Sequence, residues 1–335
     1  MRDWRTYCTR NPAGLCALLA VLTLFTALAG VCTGSVSLPP YALLEAFTGG
    51  GLARNIILYH RLPRVLASLL AGWALAASGA LIQTALANPL ASPGVIGVNA
   101  GAGLLAALCC GLFPSLAWLT PFAAFLGAAL GTLLVLLISR RAGASRMSLV
   151  LTGVAVSNMF SAAIDAVLTF FPEALSGYSD FRIGGFSGVT LARLGPAACV
   201  IVPGLLAALS LGNPLDVLAL GPETAQSLGL PVRRTRLLVL LLASALAGAA
   251  VSFGGLIGFV GLAAPQMVRR LCREGGPLRI LASALGGGLL LALCDLLARI
   301  LFRPYELPVG VVMSFLGGPF FIWLLFRQRG GRTHD

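Results

Sequence analysis

The sequence predicts an all-α polytopic membrane protein with about ten transmembrane helices, and three observations lead to that prediction. Charged residues make up 10% of the 335 residues, whereas they make up about 25% of a typical soluble domain. The hydrophobic fraction is 58% and the mean hydropathy is +0.94. Long uncharged runs recur along the chain, and about 20 such residues form a helix that matches the hydrocarbon thickness of a bilayer. Residues 1–335 are therefore predicted to form one transmembrane domain.

The first predicted span covers residues 13–32 and follows a short segment that contains three arginines. Its apolar run is longer than the core of a signal peptide, which has about 7 to 15 residues, so a retained helix is predicted. Residues 33–60 mix polar and apolar side chains and contain two consecutive prolines and three consecutive glycines. They are predicted to form a connection outside the membrane with one short surface helix.

The second and third predicted spans, 65–87 and 95–113, are separated by a sharp break. The break at 88–94 reads NPLASPG, and both flanking runs are free of charged residues. Proline and glycine at these positions end a helix and favour a turn. A membrane helix, a tight turn and the start of another helix are therefore predicted here.

Seven further apolar runs complete ten predicted spans, and the longest polar segment, 213–236, lies between the sixth span and the seventh. An even number of spans places both termini on the same side of the membrane. The further spans are 116–138, 147–171, 189–211, 237–253, 256–271, 279–302 and 307–326.

The distribution of arginines predicts which side of the membrane holds the termini. If the termini are cytoplasmic, sixteen of the 23 basic residues fall in cytoplasmic segments and seven fall in outer segments. Basic residues are enriched in the cytoplasmic loops of membrane proteins. Both termini are therefore predicted to be cytoplasmic.

A weak internal repeat aligns residues 74–93 with residues 245–265, with a slip of one residue. The first copy runs inward and the second outward, as in inverted repeats whose interface forms a translocation path. Chance similarity between helices rich in alanine, leucine and glycine is the alternative. The 41 glycines fit close helix packing in lipid, where small residues let backbones approach each other.

The fifth predicted span, 147–171, is unusually rich in serine, threonine and asparagine for a helix that faces lipid. This composition predicts that the helix faces protein or a cavity, with Asn158, Ser161 and Asp165 as the candidate residues of a transport pathway. A carboxylate within a membrane span marks a pathway or a proton relay by default. The alternative is that Asp165 lies near the outer end of the span, in water.

The composition argues against several classes of function. All 23 basic residues are arginines, so the chain lacks the lysine that a Walker A phosphate loop requires. The basic residues form short clusters between spans, so the net charge of +12 predicts membrane topology and no nucleic-acid binding. None of the eight cysteines forms a CxxC pair and there are two histidines, so no metal site, cofactor or catalytic set is predicted.

Several stretches of the sequence resemble the permease subunits of ABC importers for iron-siderophores, haem and cobalamin. The stretches lie in similar order in that family and cover most of the chain. They are RLPR at 61–64, GALIQ at 79–83, NPLASP at 88–93, GVNAGA at 97–102, GPETAQSLGLPVRRTR at 221–236, GLIGFVGLAAPQMVRRL at 255–271 and ELPVGVVMSFLGGPFFIWLL at 306–325.

The resemblance implies a transport machine with several partners in the cytoplasmic membrane of a bacterium. A separate ATP-binding cassette subunit would bind and hydrolyse ATP, and an extracytoplasmic substrate-binding protein would deliver the cargo. A second permease copy, as a homodimer or with a similar chain, would complete a pathway between subunits within the membrane lipid. A ferric siderophore is predicted as the cargo on family frequency, with haem, cobalamin or another metal chelate as alternatives. An ion-coupled secondary transporter is the alternative class, followed by a membrane protein without transport function.

The resemblance also implies a docking role for three arginines, Arg61, Arg64 and Arg299, at the outer mouth. They match positions that grip glutamates of the substrate-binding protein in the family, and arginine presents a planar fork that pairs with carboxylates. Snorkelling at the membrane interface is the alternative. For Arg299 a further alternative is an ion pair with Asp295, four residues earlier on the same helix.

The polar segment 213–236 matches the part of the family that forms the coupling helices seated in the ATPase subunit. Gly221-Pro222 is predicted to start a short helix there, with an acidic residue in its first turn, and Gly229 is predicted to end it. An amphipathic helix on the lipid surface is the alternative. The implied coupling residues are Glu223, Thr224, Ala225, Ser227, Leu228 and Gly229.

Two inner breaks correspond to the cytoplasmic gate of the family. Asn88 and Leu90 form one half of the implied gate, and Arg146 and Met147 form the other. The cobalamin importer has small hydroxyl residues at the place of Arg146 and Met147. The alternative is that both breaks are ordinary turns.

Overall fold

The computed structural model describes residues 12–34, 52–143, 145–272, 275–302 and 304–329. Most of the connection predicted at 33–60, and both chain termini, lie outside these ranges. The described residues form long helices joined by short connections, which confirms the predicted all-α class. The helices are α1 (Pro12–Cys32), α2 (Leu62–Ala85), α3 (Val98–Leu112), α4 (Thr120–Arg141), α5 (Arg146–Phe170), α6 (Ala174–Ile183), α7 (Leu191–Ser210), α8 (Gly212–Ala219), α9 (Pro222–Ser227), α10 (Val232–Gly254), α11 (Val260–Leu271), α12 (Gly276–Ile300) and α13 (Val309–Arg329).

Seven of these helical segments are long and apolar enough to cross a membrane, and two shorter apolar helices accompany them. One predicted span, 256–271, is helical only as α11, which has 12 residues and is therefore roughly 18 Å long. The preceding residues do not continue a helix because Gly255 and Phe259 both adopt left-handed backbone angles, with φ of 71° and 64°. The sequence pattern predicted the apolar run but not the non-helical residues that precede α11.

The helix α2 lies at the centre of the bundle and packs against α10, α11 and α12. It begins directly after a π-helical turn, Ile56–Arg61, and it presents small residues to its neighbours. A side chain at Gly72 would overlap the backbone of Gly287 and Gly288 on α12, and one at Gly79 would overlap the carbonyl of Gly261 on α11. Such glycine contacts let membrane helices approach at backbone distance.

The bundle has two ends, which we name after the orientation that the arginine distribution predicts. The outer end holds the start of α2 and the last turn of α12, and the inner end holds the end of α2 and the start of α12. The helices α8 and α9 lie at the inner end, where Gly212 of α8 packs against Pro277 of α12.

Two helices with large exposed faces differ in chemistry. The exposed face of α1 is apolar and includes Leu18, Leu24 and Phe25, as expected of a face against lipid. The exposed face of α5 is also largely apolar, with Leu151, Val154 and Met159, but Asn158 and Asp165 lie among these side chains. The exposed face of α5 therefore combines an apolar surface with a few polar groups, which the exposed face of α1 does not.

Candidate functional site

A buried ion network occupies the outer end of the bundle. Arg64 lies in the first turn of α2, and Asp295 and Arg299 lie one turn apart near the end of α12. The Nε of Arg64 donates to Oδ1 of Asp295 at 2.9 Å, and its Nη1 contacts the Glu306 carboxylate. The Nη2 of Arg299 lies 3.0 Å from Oδ2 of Asp295. Asp295 is 0% exposed, so the network neutralises a carboxylate that has no access to water.

The network extends to the last turn of α1. The Nη1 of Arg61 donates to the carbonyls of Val31 and Cys32 at 3.1 and 2.7 Å, and Nη1 of Arg299 donates to the carbonyl of Gly30 at 2.9 Å. The last carbonyls of a helix lack intrahelical partners and carry partial negative charge, so guanidinium groups stabilise them. The three arginines therefore tie α1, α2 and α12 together.

The structure brings Arg61, Arg64 and Arg299 together, but as buried side chains with partners inside the chain. Their exposures are 5%, 8% and 3%, and they border an open cavity of about 400 Å³ at the outer end. The ion pair between Arg299 and Asp295, which the sequence offered as an alternative, is present. Docking of a binding protein through these arginines stays a prediction.

The three pathway candidates of α5 share one exposed face. Asn158, Ser161 and Asp165 are spaced three and four residues apart, which places them on one side of a helix. Asp165 lies five residues before the end of α5 at Phe170, about 8 Å from the outer end of the helix. Its position matches the alternative that the carboxylate lies near the outer side.

The inner break after α2 is a hydrogen-bonded turn. Ala87 adopts a left-handed φ of 47°, the amide of Asn88 donates to the carbonyl of Gln83 at 3.0 Å, and the amide of Leu90 donates to Oδ1 of Asn88 at 2.9 Å. Asn88 is therefore a positioning residue of this turn.

Two buried glutamines, for which the sequence predicted no role, hold the same turn. Nε2 of Gln266 on α11 donates to the Pro89 carbonyl at 2.7 Å and to Oε1 of Gln83 at 3.0 Å. Nε2 of Gln83 donates to the Gly261 carbonyl at 3.2 Å. The sequence feature that could have identified these two residues is an amide side chain within an apolar helix, because a polar group in a membrane helix needs a partner.

The other half of the predicted gate begins α5. Ser145 caps this helix, since its hydroxyl accepts from the amide of Ser148 at 2.9 Å. Met147 is 67% exposed and Arg146 is half-buried. Within the described ranges, no hydrogen bond joins this turn to the Asn88 turn, and gating by the two turns stays a prediction.

The predicted coupling residues form α9 and its C-terminal turn. Glu223, in the first turn of α9, and Leu228, which follows the helix, are both exposed. Gly221 and Gly229 lie at the two ends of the helix with φ of 107° and 83°. Residues with a side chain rarely adopt these backbone angles. Ala225 is 0% exposed, so its side chain packs against the rest of the chain, and the coupling role of all these residues stays a prediction.

The predicted coupling segment, residues 213–236, is fixed to the bundle through α8. Oδ1 of Asp216 accepts from Nη2 of Arg279 on α12 at 2.9 Å. A side chain at Gly275 would overlap the Asp216 carboxylate, so α8 lies directly against the start of α12. Movement of the coupling segment would therefore act on α12.

No group of three metal-ligating side chains occurs in the parts of the chain that the structure describes.

Comparison with known proteins covers nearly the whole chain. The chain matches the FecCD transport family over residues 21–327. It is 34% identical, over 94% of its length, to the Fe(3+)-citrate import system permease protein YfmE of Bacillus subtilis, 96% of which is covered. It is 36% identical, over 96% of its length, to the hemin transport system permease protein HmuU of Yersinia pestis, 98% of which is covered.

Two further similarities extend this result. The chain is 36% identical, over 93% of its length, to the vitamin B12 import system permease protein BtuC of Klebsiella pneumoniae, 93% of which is covered. A solved structure described as an inward-facing conformation of a metal-chelate type ABC transporter superposes with a TM-score of 0.83 at 26% identity. That similarity covers 94% of this chain and 99% of the other.

Proposed function

The chain belongs to the FecCD transport family and is a permease subunit of an ABC importer, and from that premise we propose that its cargo is a ferric siderophore. Relatives of nearly equal identity are named for ferric citrate, hemin and vitamin B12, so identity alone does not select the cargo. The observation that supports a siderophore is the group of exposed polar side chains on α5, Asn158, Ser161 and Asp165, because a hydrophilic chelate is better matched there than a macrocycle with large apolar faces. Uptake of labelled ferric siderophore in preference to haem and cobalamin is the test.

The proposal includes two partners that supply energy and cargo. A separate ATP-binding cassette subunit hydrolyses ATP, because a chain without lysine cannot form a Walker A loop. A substrate-binding protein delivers the chelate at the outer end. A second copy of the permease faces α5 and α7, because the apolar stretches of these two helices are only 22% and 28% buried within one chain. A mass measurement that shows a single permease chain in the active complex would contradict the proposed second copy.

The proposed orientation places both termini in the cytoplasm. It is supported by the excess of arginines in the segments assigned to that side. In sealed inside-out vesicles, a tag at the C-terminus should be accessible to protease, and protection of the tag would contradict the orientation.

Docking at the outer end is proposed to use the surface around the buried arginine network. The outer cavity borders Arg61, Arg64 and Arg299, which give it a positive field even though each group has partners inside the chain. A binding protein with acidic residues would be attracted to this field, and the attraction falls with ionic strength. An affinity between binding protein and transporter that does not change with salt would contradict this mode of docking.

Changes in the coupling segment test the proposed contact with the ATPase. Glu223→Arg and Gly229→Trp alter exposed positions, and a Cβ at Gly229 meets no atom within 4 Å. We expect both variants to fold and to dock the binding protein, while association with the ATPase subunit falls by about tenfold or more, as for a lost interface anchor. The measurement is co-purification with the ATPase and the ATPase rate of the complex.

Matched controls separate coupling from general damage. Glu173→Arg reverses an exposed carboxylate at the outer end, and Gly143→Trp fills another left-handed glycine site with open space around it. Both controls should retain the association with the ATPase. Normal transport by Glu223→Arg and Gly229→Trp would remove the coupling assignment.

A further inference from the structure

A polar cavity of about 440 Å³ lies between α3, α5 and α6, and we name it the α5 cavity. The cavity is concave, and a few polar groups point into it from among apolar lining residues. Ligand sites in proteins commonly have this form. The polar side chains that border it are Asn99 of α3, Ser157, Ser161 and Asp165 of α5, and Tyr178 and Arg182 of α6.

Two opposite charges in the α5 cavity are not paired with each other. Asp165 and Arg182 are both exposed, and across the described part of the chain neither takes part in an ion pair. Both border the cavity together with Tyr178, and both act on its phenol electrostatically. An arginine and a carboxylate held apart across a cavity can each bind a complementary group of a ligand.

Tyr178 supplies a neutral hydrogen-bonding group between these charges. The residue is 5% exposed, and burial raises the pKa of its phenol, an effect that Arg182 opposes and Asp165 supports. The phenol therefore stays protonated at neutral pH and can donate a hydrogen bond. Gly103 of α3 leaves room for it, since a Cβ there would lie 3.3 Å from the Tyr178 hydroxyl.

The chemistry of these groups selects a class of ligand. The guanidinium of Arg182 pairs best with a carboxylate, in a forked and charge-assisted arrangement. The serine, asparagine and tyrosine groups suit hydroxyl and amide oxygens of the same molecule. Because the described residues contain no cluster of three metal-ligating side chains, the ligand would be held by its organic shell with the metal still enclosed.

We propose that the α5 cavity is a binding site for a carboxylate-bearing metal chelate, with Arg182 as the residue that pairs with the carboxylate. This inference rests on the proposed function in taking the cargo to be a chelate, and it adds the chemical group that the permease recognises. Arg182 then determines specificity, and Asp165 contacts a hydroxyl or amide group and need not carry protons.

Direct binding tests the site without the need for transport. The permease with its ATPase subunit, in lipid nanodiscs and without binding protein, is equilibrated with labelled ferric citrate or with a ferric trihydroxamate that has no free carboxylate. We expect Arg182→Gln to weaken ferric citrate binding by about tenfold or more, since a charged hydrogen-bonded contact is lost. Arg182→Lys should restore part of the affinity, because it keeps the charge but not the fork. Binding of the trihydroxamate should be equal in all variants.

A second arginine provides the control. Arg193→Gln removes an exposed arginine that does not border the α5 cavity, and it should leave ferric citrate binding unchanged. Equal ferric citrate binding by wild type and Arg182→Gln, including no binding by either, would overturn the site, as would an equal loss for both chelates. A complex that shows the Arg182-dependent binding but never imports a chelate would instead contradict the proposed function and leave the site intact.

Discussion

Replacing Arg64 with glutamate is expected to destabilise the folded chain by about 3 to 5 kcal/mol, which is the loss typical of a broken buried ion pair. The change leaves Asp295 without one of its two guanidinium partners and adds a carboxylate beside it. Glu306 also loses its contact with Arg64. The measurement is the free energy of unfolding in detergent, with the folded fraction after heating as a second measure.

An exposed arginine provides the matched control for this change. Arg193→Glu reverses the same charge at a position that makes no ion pair with the residues that the structure describes, and it should alter stability by less than about 0.5 kcal/mol. Binding-protein affinity, measured on the folded fraction, separates the two roles of Arg64. If Arg64→Glu were as stable as wild type and lost only docking, the buried network would not stabilise the fold as described.

Replacing Gly79 with alanine is expected to destabilise the chain by about 1 to 3 kcal/mol, as overpacking of a tight core does. The added Cβ would overlap the carbonyl of Gly261, and a backbone atom cannot move aside as a flexible side chain can. The change should separate α2 from α11. Thermal unfolding in detergent and the yield of assembled transporter measure this effect.

The control is an exposed glycine in a helix where a side chain fits. A Cβ at Gly177 of α6 would meet only Sγ of Cys110, at an ordinary contact distance of 3.4 Å, so Gly177→Ala should stabilise the chain by about 0.4 to 1 kcal/mol through the helix preference of alanine. The two identical substitutions are thus expected to have opposite signs. A stabilising Gly79→Ala would show that α2 and α11 do not pack at backbone distance.

Hydrophobic runs and turn residues were sufficient to predict the helical class and the short helix of the coupling segment. The glycines at 221 and 229 marked both ends of α9, because few other residues adopt their backbone angles. Turn residues of this kind can be recognised from the sequence because their effect depends only on residues that are neighbours in the chain. The internal repeat has no such local test and stays a prediction.

Contacts between distant residues could not be predicted in the same way. Arg64 and Asp295 are 231 residues apart in sequence, and only packing of α2 against α12 brings them together. The sequence was sufficient to group Arg61, Arg64 and Arg299 at the outer end, but it could not show that their side chains are buried. The α5 cavity could not be located for a similar reason, because only the packing of α6 beside α5 brings Tyr178 and Arg182 to the same cavity as Asp165.

The central claim is that this chain is the permease of an ATP-driven importer for a ferric siderophore, and reconstituted uptake tests it most directly. Proteoliposomes containing the permease, its ATPase subunit and the binding protein should take up labelled ferric siderophore when ATP is supplied to the ATPase. Uptake should cease when the ATPase subunit is omitted, and the purified permease alone should hydrolyse no ATP. Uptake that persists without the ATPase, follows a proton or sodium gradient and is lost in Asp165→Asn would contradict the claim and indicate a secondary transporter.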